Sequence, residues 1–298
     1  MLPSSALETL HLGFASGRDR NGNGEPHDPL EIIEQVFWAT HLRRLLIDGI
    51  SFTPELSTLF PPSRHRTSPI TDLEFRSDNQ EKFGCLPNIL ACIKELKRFT
   101  FEMHTPWEAS HCYARGMEPA ALGQMIGIHA STLETLEIAA SDAAEFPDTS
   151  LFGSLAWHPN LKRLAIPDEL LVVVENETST LIDVLPPKLE ELQLQFAMLR
   201  MHGNDRNRSL RVNRLLQLAT AKEARFPALR RVIWWCQPCE CWDNDGSRYG
   251  PISDMEDLKA AFQEVDVDFE FTSDPYFEGS PFGGKESGHP WGSYVDDE

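Results

Sequence analysis

Leu189-Glu-Glu-Leu-Gln-Leu194 states the plan of the chain in six residues: apolar, two polar, apolar, polar, apolar. The same phrase stands at Leu7-Leu10-Leu12, Leu42-Leu45-Ile47, Ile70-Leu73-Phe75, Leu96-Phe99-Phe101, Leu133-Leu136-Ile138, Leu161-Leu164-Ile166 and Leu229-Val232-Trp234. Alternate residues of a strand face opposite sides, so the second and third apolar positions share one face and the residues between them take the other. One strand with one apolar face cannot bury itself. Stacked copies, each backed by a helix, bury a continuous core.

First positions of successive copies lie 26 to 40 residues apart. The shorter spacings suit leucine-rich repeats of roughly 20–29 residues, and the longer ones imply insertions. The expected fold class is therefore α/β: an irregular leucine-rich-repeat solenoid over residues 1–272, with a parallel sheet on the concave face and helices behind. Apolar residues at helical spacing place helices at 30–39 and 210–223, Pro87 suits the first turn of a helix over 88–93, another helix is read at 119–126, and residues 146–147 with 151–157 and then 180–185 precede the sixth and seventh strands. Ser253-Asp-Met-Glu256 reads as a capping-box start for another helix. The alternating Val265-Asp-Val-Asp-Phe-Glu-Phe271 reads as a closing edge strand, its acids guarding against edge-to-edge pairing. Residues 273–298, rich in Gly, Ser, Pro and acid, read as a flexible tail. The first copy begins at residue 7 with no capping unit ahead of it, which suggests the C-terminal part of something longer.

The chain has 298 residues, 46 acidic against 27 basic, for a net charge of −19. That balance disfavours nucleic acid and anionic membrane as main partners, since both are bound chiefly through positive charge. No signal-peptide pattern and no membrane-length apolar run stands in the sequence. Six cysteines in a chain this long do not form a disulfide framework, so cytoplasm or nucleus is the expected compartment.

The outward positions carry the most information. The residue just before the second apolar position reads Thr9, Arg44, Asp72, Arg98, Thr135, Arg163, Glu191, Arg231. Arginines fall on every second copy, with acidic or neutral residues between. Neighbouring parallel strands stand about 4.8 Å apart, so opposite charges would sit side by side. One reading is a cross-strand ladder that fixes register, each exposed pair contributing about 0.2–1 kcal/mol. The other is a recognition strip for a protein, made of Arg44, Arg98, Arg163, Arg231, Glu74, Glu137, Glu191 and Trp235, which stands either exposed as an anchor beside Trp242 or covered by the loop that follows.

Other constellations carry less. Cys236-Gln-Pro-Cys239-Glu-Cys241 has no second cysteine pair to complete a zinc site. Asp19-Arg-Asn-Gly-Asn-Gly24 opens like a calcium loop, but its twelfth position is Leu30 rather than glutamate. No local nucleophile signature and no phosphate-cradling glycine loop stands in the chain. The expectation is a monomeric binding module with no catalytic residues, no cofactor and no metal.

Phrases such as Ser131-Thr-Leu-Glu-Thr-Leu-Glu-Ile138, His158-Pro-Asn-Leu-Lys-Arg-Leu-Ala-Ile166 and Phe226-Pro-Ala-Leu-Arg-Arg-Val-Ile233 resemble the leucine-rich-repeat region of fungal F-box proteins. The resemblance covers about residues 5 to 272 and implies substrate recognition within a ubiquitin ligase. Two features depart from that family. The F-box segment is not in this chain, and the copies lack the asparagine that follows the phrase and ties adjacent turns. A free-standing repeat scaffold is the alternative. A hydrolase with a non-local site is the reading from another class.

Overall fold

The computed structural model describes residues 7–13, 29–49, 54–77, 85–103, 119–140, 151–172, 180–197, 205–237 and 253–272. Each of the eight phrases supplies one strand: β1 (Thr9–Gly13), β2 (Arg44–Asp48), β3 (Asp72–Ser77), β4 (Arg98–Met103), β5 (Thr135–Ala140), β6 (Arg163–Pro167), β7 (Glu191–Ala197) and β8 (Arg231–Gln237). A ninth, β9 (Asp268–Thr272), closes the sheet. All pairs are parallel and the spatial order is the chain order.

Helices connect the strands: α1 (Pro29–Phe37), α2 (Pro54–Thr58), α3 (Leu86–Cys92), α4 (Pro119–Gly127), α5 (Asp168–Leu171), α6 (Leu181–Val184), α7 (Asp205–Arg225) and α8 (Ser253–Glu264). Their buried residues, among them Phe37, Leu90, Leu122, Leu215 and Phe262, join the second and third apolar positions of the strands in one continuous cluster. The helices therefore cover one face of the sheet, and the outward residues of the phrases occupy the other. None of the described helices is long and apolar enough to cross a membrane.

The register is unbroken. Leu10, Leu45, Leu73, Phe99, Leu136, Leu164, Leu192, Val232 and Phe269 stand in one row. For β1 to β7 the residue two before the apolar row acts as a shared acceptor for the start of the next strand. The N–H groups of Arg43 and Arg44 both donate to Glu8 O (2.8 and 2.9 Å), and those of Thr71 and Asp72 both donate to Arg43 O. The same pair of hydrogen bonds is accepted by the carbonyl oxygens of Thr71, Lys97, Glu134, Lys162 and Glu190. A carbonyl has two lone pairs, so one oxygen per unit satisfies both donors.

Side-chain bonds to backbone carbonyls also link successive segments. Ser68 Oγ donates to Phe37 O (2.9 Å), Thr132 Oγ1 to Leu96 O (2.8 Å) and Asn160 Nδ2 to Ser131 O (2.7 Å). The first of these bonds is buried, the second half-buried and the third exposed, and each joins segments about 30 residues apart in sequence.

One junction differs. β5 and β6 pair over three residues only, Thr135↔Arg163 to Glu137↔Ala165, whereas the other pairs run five to seven. Pro167 ends β6 and has no N–H to offer. Residues 151–155, ahead of β6, form no helix and pass close to α4 as irregular chain. Phe152 N–H donates to Leu170 O and Leu155 N–H to Val184 O, each 2.8 Å. Gly123 in α4 makes room for this stretch, since a Cβ there would stand 1.8 Å from Phe152 O.

The helix expectations at 30–39, 88–93, 119–126 and 210–223 each meet a helix, with bounds shifted by a few residues. β9 starts later than the alternation suggests. Asp266 sits at φ 56°, a turn conformation that hands the chain from α8 to the strand.

Candidate functional site

The polar face of the sheet is the candidate site, because the shared register lines its side chains into three rows. The first row is Thr9, Arg44, Asp72, Arg98, Thr135, Arg163, Glu191, Arg231 and Asp268. The second is His11, Leu46, Glu74, Thr100, Glu137, Ala165, Gln193, Ile233 and Glu270, and the third falls into two stretches, from Gly13 through Arg76 and Glu102 to Ala139 on β1 to β5 and from Pro167 through Gln195 and Trp235 to Thr272 on β6 to β9.

Across β2 to β5 the rows knit into a charged cluster. Asp72 Oδ2 lies 3.9 Å from Arg44 Nε and 3.8 Å from Arg98 Nε, so it stands between two guanidinium groups of adjacent strands. Glu74 accepts from Arg76 Nη2 at 2.8 Å and lies 3.7 Å from Arg44 Nη2. Arg76 reaches on to Glu102 Oε2 at 3.3 Å. Thr100 Oγ1 donates to Glu137 Oε2 at 3.1 Å.

Burial decides how these groups titrate. Desolvation lifts the Asp72 and Glu137 carboxyls above the usual carboxylate range, although Arg98 pulls both down. Desolvation also opposes the charge on Arg76, but Glu74, Glu102 and Asp48 outweigh it and hold that guanidinium more firmly protonated than usual. The cluster is thus a half-buried ionic network, held by geometry that a solvated surface pair lacks.

The other half of the face is different in kind. Over β6 to β8 the second and third rows carry Ala165, Pro167, Gln193, Gln195, Ile233 and Trp235, all buried. Charges persist only in the first row and on β9, where Arg231 Nη2 reaches Glu270 Oε2 at 2.9 Å and Arg231 Nε lies 3.8 Å from Asp268 Oδ2. The acids of β9 are therefore partners of Arg231 as well as guards of an edge.

The sequence-expected residues all lie on this one face: Arg44, Glu74, Arg98, Glu137, Arg163, Glu191, Arg231 and Trp235. The ladder is uneven along it. Arg44, Arg98 and Arg231 are paired, while Arg163 stands exposed beside Glu191 with no ion pair among the described residues. Trp235 requires a correction. It was expected as an exposed anchor, but it is buried and shares a small cluster with Ile233 apart from the main core. Trp242, Cys239, Cys241 and the Asp19–Gly24 loop lie outside the described residues. Among the described residues no three His, Cys, Asp or Glu side chains are placed to hold a metal ion.

Sequence reasoning missed Arg76, Glu102 and Thr100, although continuing the alternation two residues past the phrase reaches the third row. It also missed a buried ionic cluster on the helix side. Arg211 on α7 is bonded to Asp168 through Nε and Nη2, and its Nη2 reaches Glu169 Oε1 at 3.1 Å. These partners stand more than 40 residues apart in sequence, so no local pattern marks them. No known protein family, curated protein or solved structure matches this chain.

Proposed function

We propose that the chain is a leucine-rich-repeat solenoid whose polar sheet face binds a protein. The observation that carries this reading is the single register that sets charges of both signs in rows on one face of the sheet. A parallel array of this kind offers a partner a broad, rigid surface of fixed side chains, the arrangement repeat proteins use for binding. Acidic and basic groups alternate across it, which favours a partner of mixed surface charge over a polyanion. No catalytic role is assigned to any residue.

By its resemblance to fungal F-box proteins, the module would present substrates to a ubiquitin ligase. A free-standing scaffold is the second reading. It draws on the repeat architecture alone, which identifies no substrate.

Capture of partners by the chain from its native lysate tests the binding site. The Arg44→Glu, Arg98→Glu, Arg163→Glu, Arg231→Glu quadruple variant serves as control once its circular dichroism matches the parent. Loss of the captured protein in the variant is the expected result, and its retention would move recognition off the polar face. Depletion of the chain in cells then separates the two readings. A captured protein whose half-life lengthens is a ligase substrate, and one whose half-life is unchanged belongs to a scaffold.

A further inference from the structure

Exposure on the polar face falls steeply along the strands. At the rim where the strands begin, Arg44 and Arg98 keep 47% and 40% of their side-chain surface, and Arg163 is exposed. Two and four residues further on, Glu74, Thr100, Glu102, Gln193 and Gln195 are buried. A partner therefore meets this face along its starting rim, which the turns leading into the strands also form.

Apolar side chains collect on that rim at one place. Trp157 is 81% exposed and Ile128 48%. Ile128 stands in the turn ahead of β5 and Trp157 in the turn ahead of β6. The two turns are joined, since Asn160 Nδ2 donates to Ser131 O at 2.7 Å and Lys162 Nζ reaches Glu134 Oε2 at 3.1 Å. A lone exposed apolar residue is ordinary on a protein surface. Here two share adjacent turns with a free cation. Arg163 opens β6 and, unlike Arg44, Arg98 and Arg231, has no ion pair among the described residues. Between it and Trp157 the chain turns, with Leu161 N–H donating to His158 O at 3.1 Å. That turn keeps their Cα atoms within about 18 Å, the span of about five extended residues.

We infer that the rim at β5 and β6, centred on Trp157 and Arg163, docks a protein segment that sets a carboxylate within about five residues of a large apolar side chain. The inference rests on the protein-binding reading and names what that face recognises. Charge complementarity selects the occupant. The two residues ahead of the second apolar position in each of the nine units include eight basic and six acidic ones, a positive surplus on a chain of net charge −19. Asp72 holds Arg44 and Arg98, and Glu270 holds Arg231, so the guanidinium of Arg163 is left to take a partner's carboxylate through its planar fork of donors. The indole of Trp157 offers the broad apolar surface that most often anchors an interface. The acids interspersed along the same row, Asp72 and Glu191, repel a continuous polyanion such as nucleic acid.

Selection of a random peptide library displayed on phage against the full chain tests this. Peptides that pair Asp or Glu with Trp, Phe or Leu at that spacing should be enriched. Binding of a selected synthetic peptide, read by fluorescence polarisation, should weaken about tenfold or more in Trp157→Ala and in Arg163→Gln. It should be unchanged in Ile32→Ser, which alters an exposed apolar residue of α1. Selection on an Arg163→Glu chain should exchange acidic peptides for basic ones, a result that misfolding cannot imitate. Enriched peptides without an acid, or full binding by Trp157→Ala, overturn the inference. Binding lost instead in Arg44→Glu or Arg98→Glu also overturns it, while leaving the polar face as the binding site. Absence of any enriched peptide overturns it as well, and the lysate capture then decides the protein-binding reading separately.

Discussion

Gly123→Ala is a small change that the structure makes expensive. In an exposed helix interior alanine is favoured over glycine by about 1 kcal/mol, so local propensity alone foresees a gain. The new Cβ, however, would stand 1.8 Å from the carbonyl oxygen of Phe152 and 2.9 Å from its carbon. The obstacle is backbone, which has no rotamer to change. The carbonyl would have to retreat by more than about 1 Å, and forced overpacking of this kind costs about 1–3 kcal/mol. Phe152 is also tied by its N–H to Leu170 O at 2.8 Å, so the retreat strains a bond with a net contribution of about 0.5–1.5 kcal/mol. After the helix gain is subtracted, a loss of about 2 kcal/mol remains. For a domain of this size that lowers the melting temperature by roughly 4–8 °C. Differential scanning calorimetry reads it, with Gly127→Ala as the comparison, because a Cβ at Gly127 meets nothing within 4 Å. Gly127→Ala should melt at or above the parent temperature. A Gly123→Ala variant that does the same would refute the close approach of residues 151–155 to α4.

Arg211→Met leaves Asp168 buried without its partner and should cost about 3–5 kcal/mol in urea unfolding, while the Arg211→Met, Asp168→Leu double variant should recover most of that loss. Arg98→Glu faces Asp72 at 3.8 Å and should lower stability by about 1 kcal/mol, whereas Arg163→Glu should lower it less; equal losses would contradict the uneven ladder. His129 and His158 are buried and desolvation depresses both below the ordinary imidazole range of 6.5. Their folded pKa lies below the unfolded one, so the stability they confer is whole above about pH 6.5 and is lost as pH falls. A urea midpoint that does not drop on acidification from neutral pH would contradict this, and His158→Gln should flatten the drop. Glu137 has the opposite sign. Its carboxyl is raised by burial, so its ionisation costs stability as pH rises above 4.5. Glu137→Gln should accordingly raise the urea midpoint at neutral pH and lose that advantage in acid.

What the sequence determined by itself was periodicity and register. The spacing of Leu189, Leu192 and Leu194, repeated eight times, assigned the strands, their parallel order and the face on which Arg44, Asp72 and Arg98 meet, because a period of two leaves a side chain one choice of face. β9 escaped as a member of the same series because Asp266 stands where an apolar residue begins every other phrase. Tertiary structure alone decided how much of the face is exposed and which charges find partners. Alternation correctly placed Trp235 on the polar face but could not foresee its burial, since exposure depends on what lies above a side chain. Asp168 and Arg211 are joined only because the tertiary fold brings α5 and α7 together in space. Gly123 looked like an ordinary weak helix position, and only the approach of Phe152 from the following segment gives it a reason to be glycine. Local pattern fixes direction along a strand; distance across the fold is set by packing.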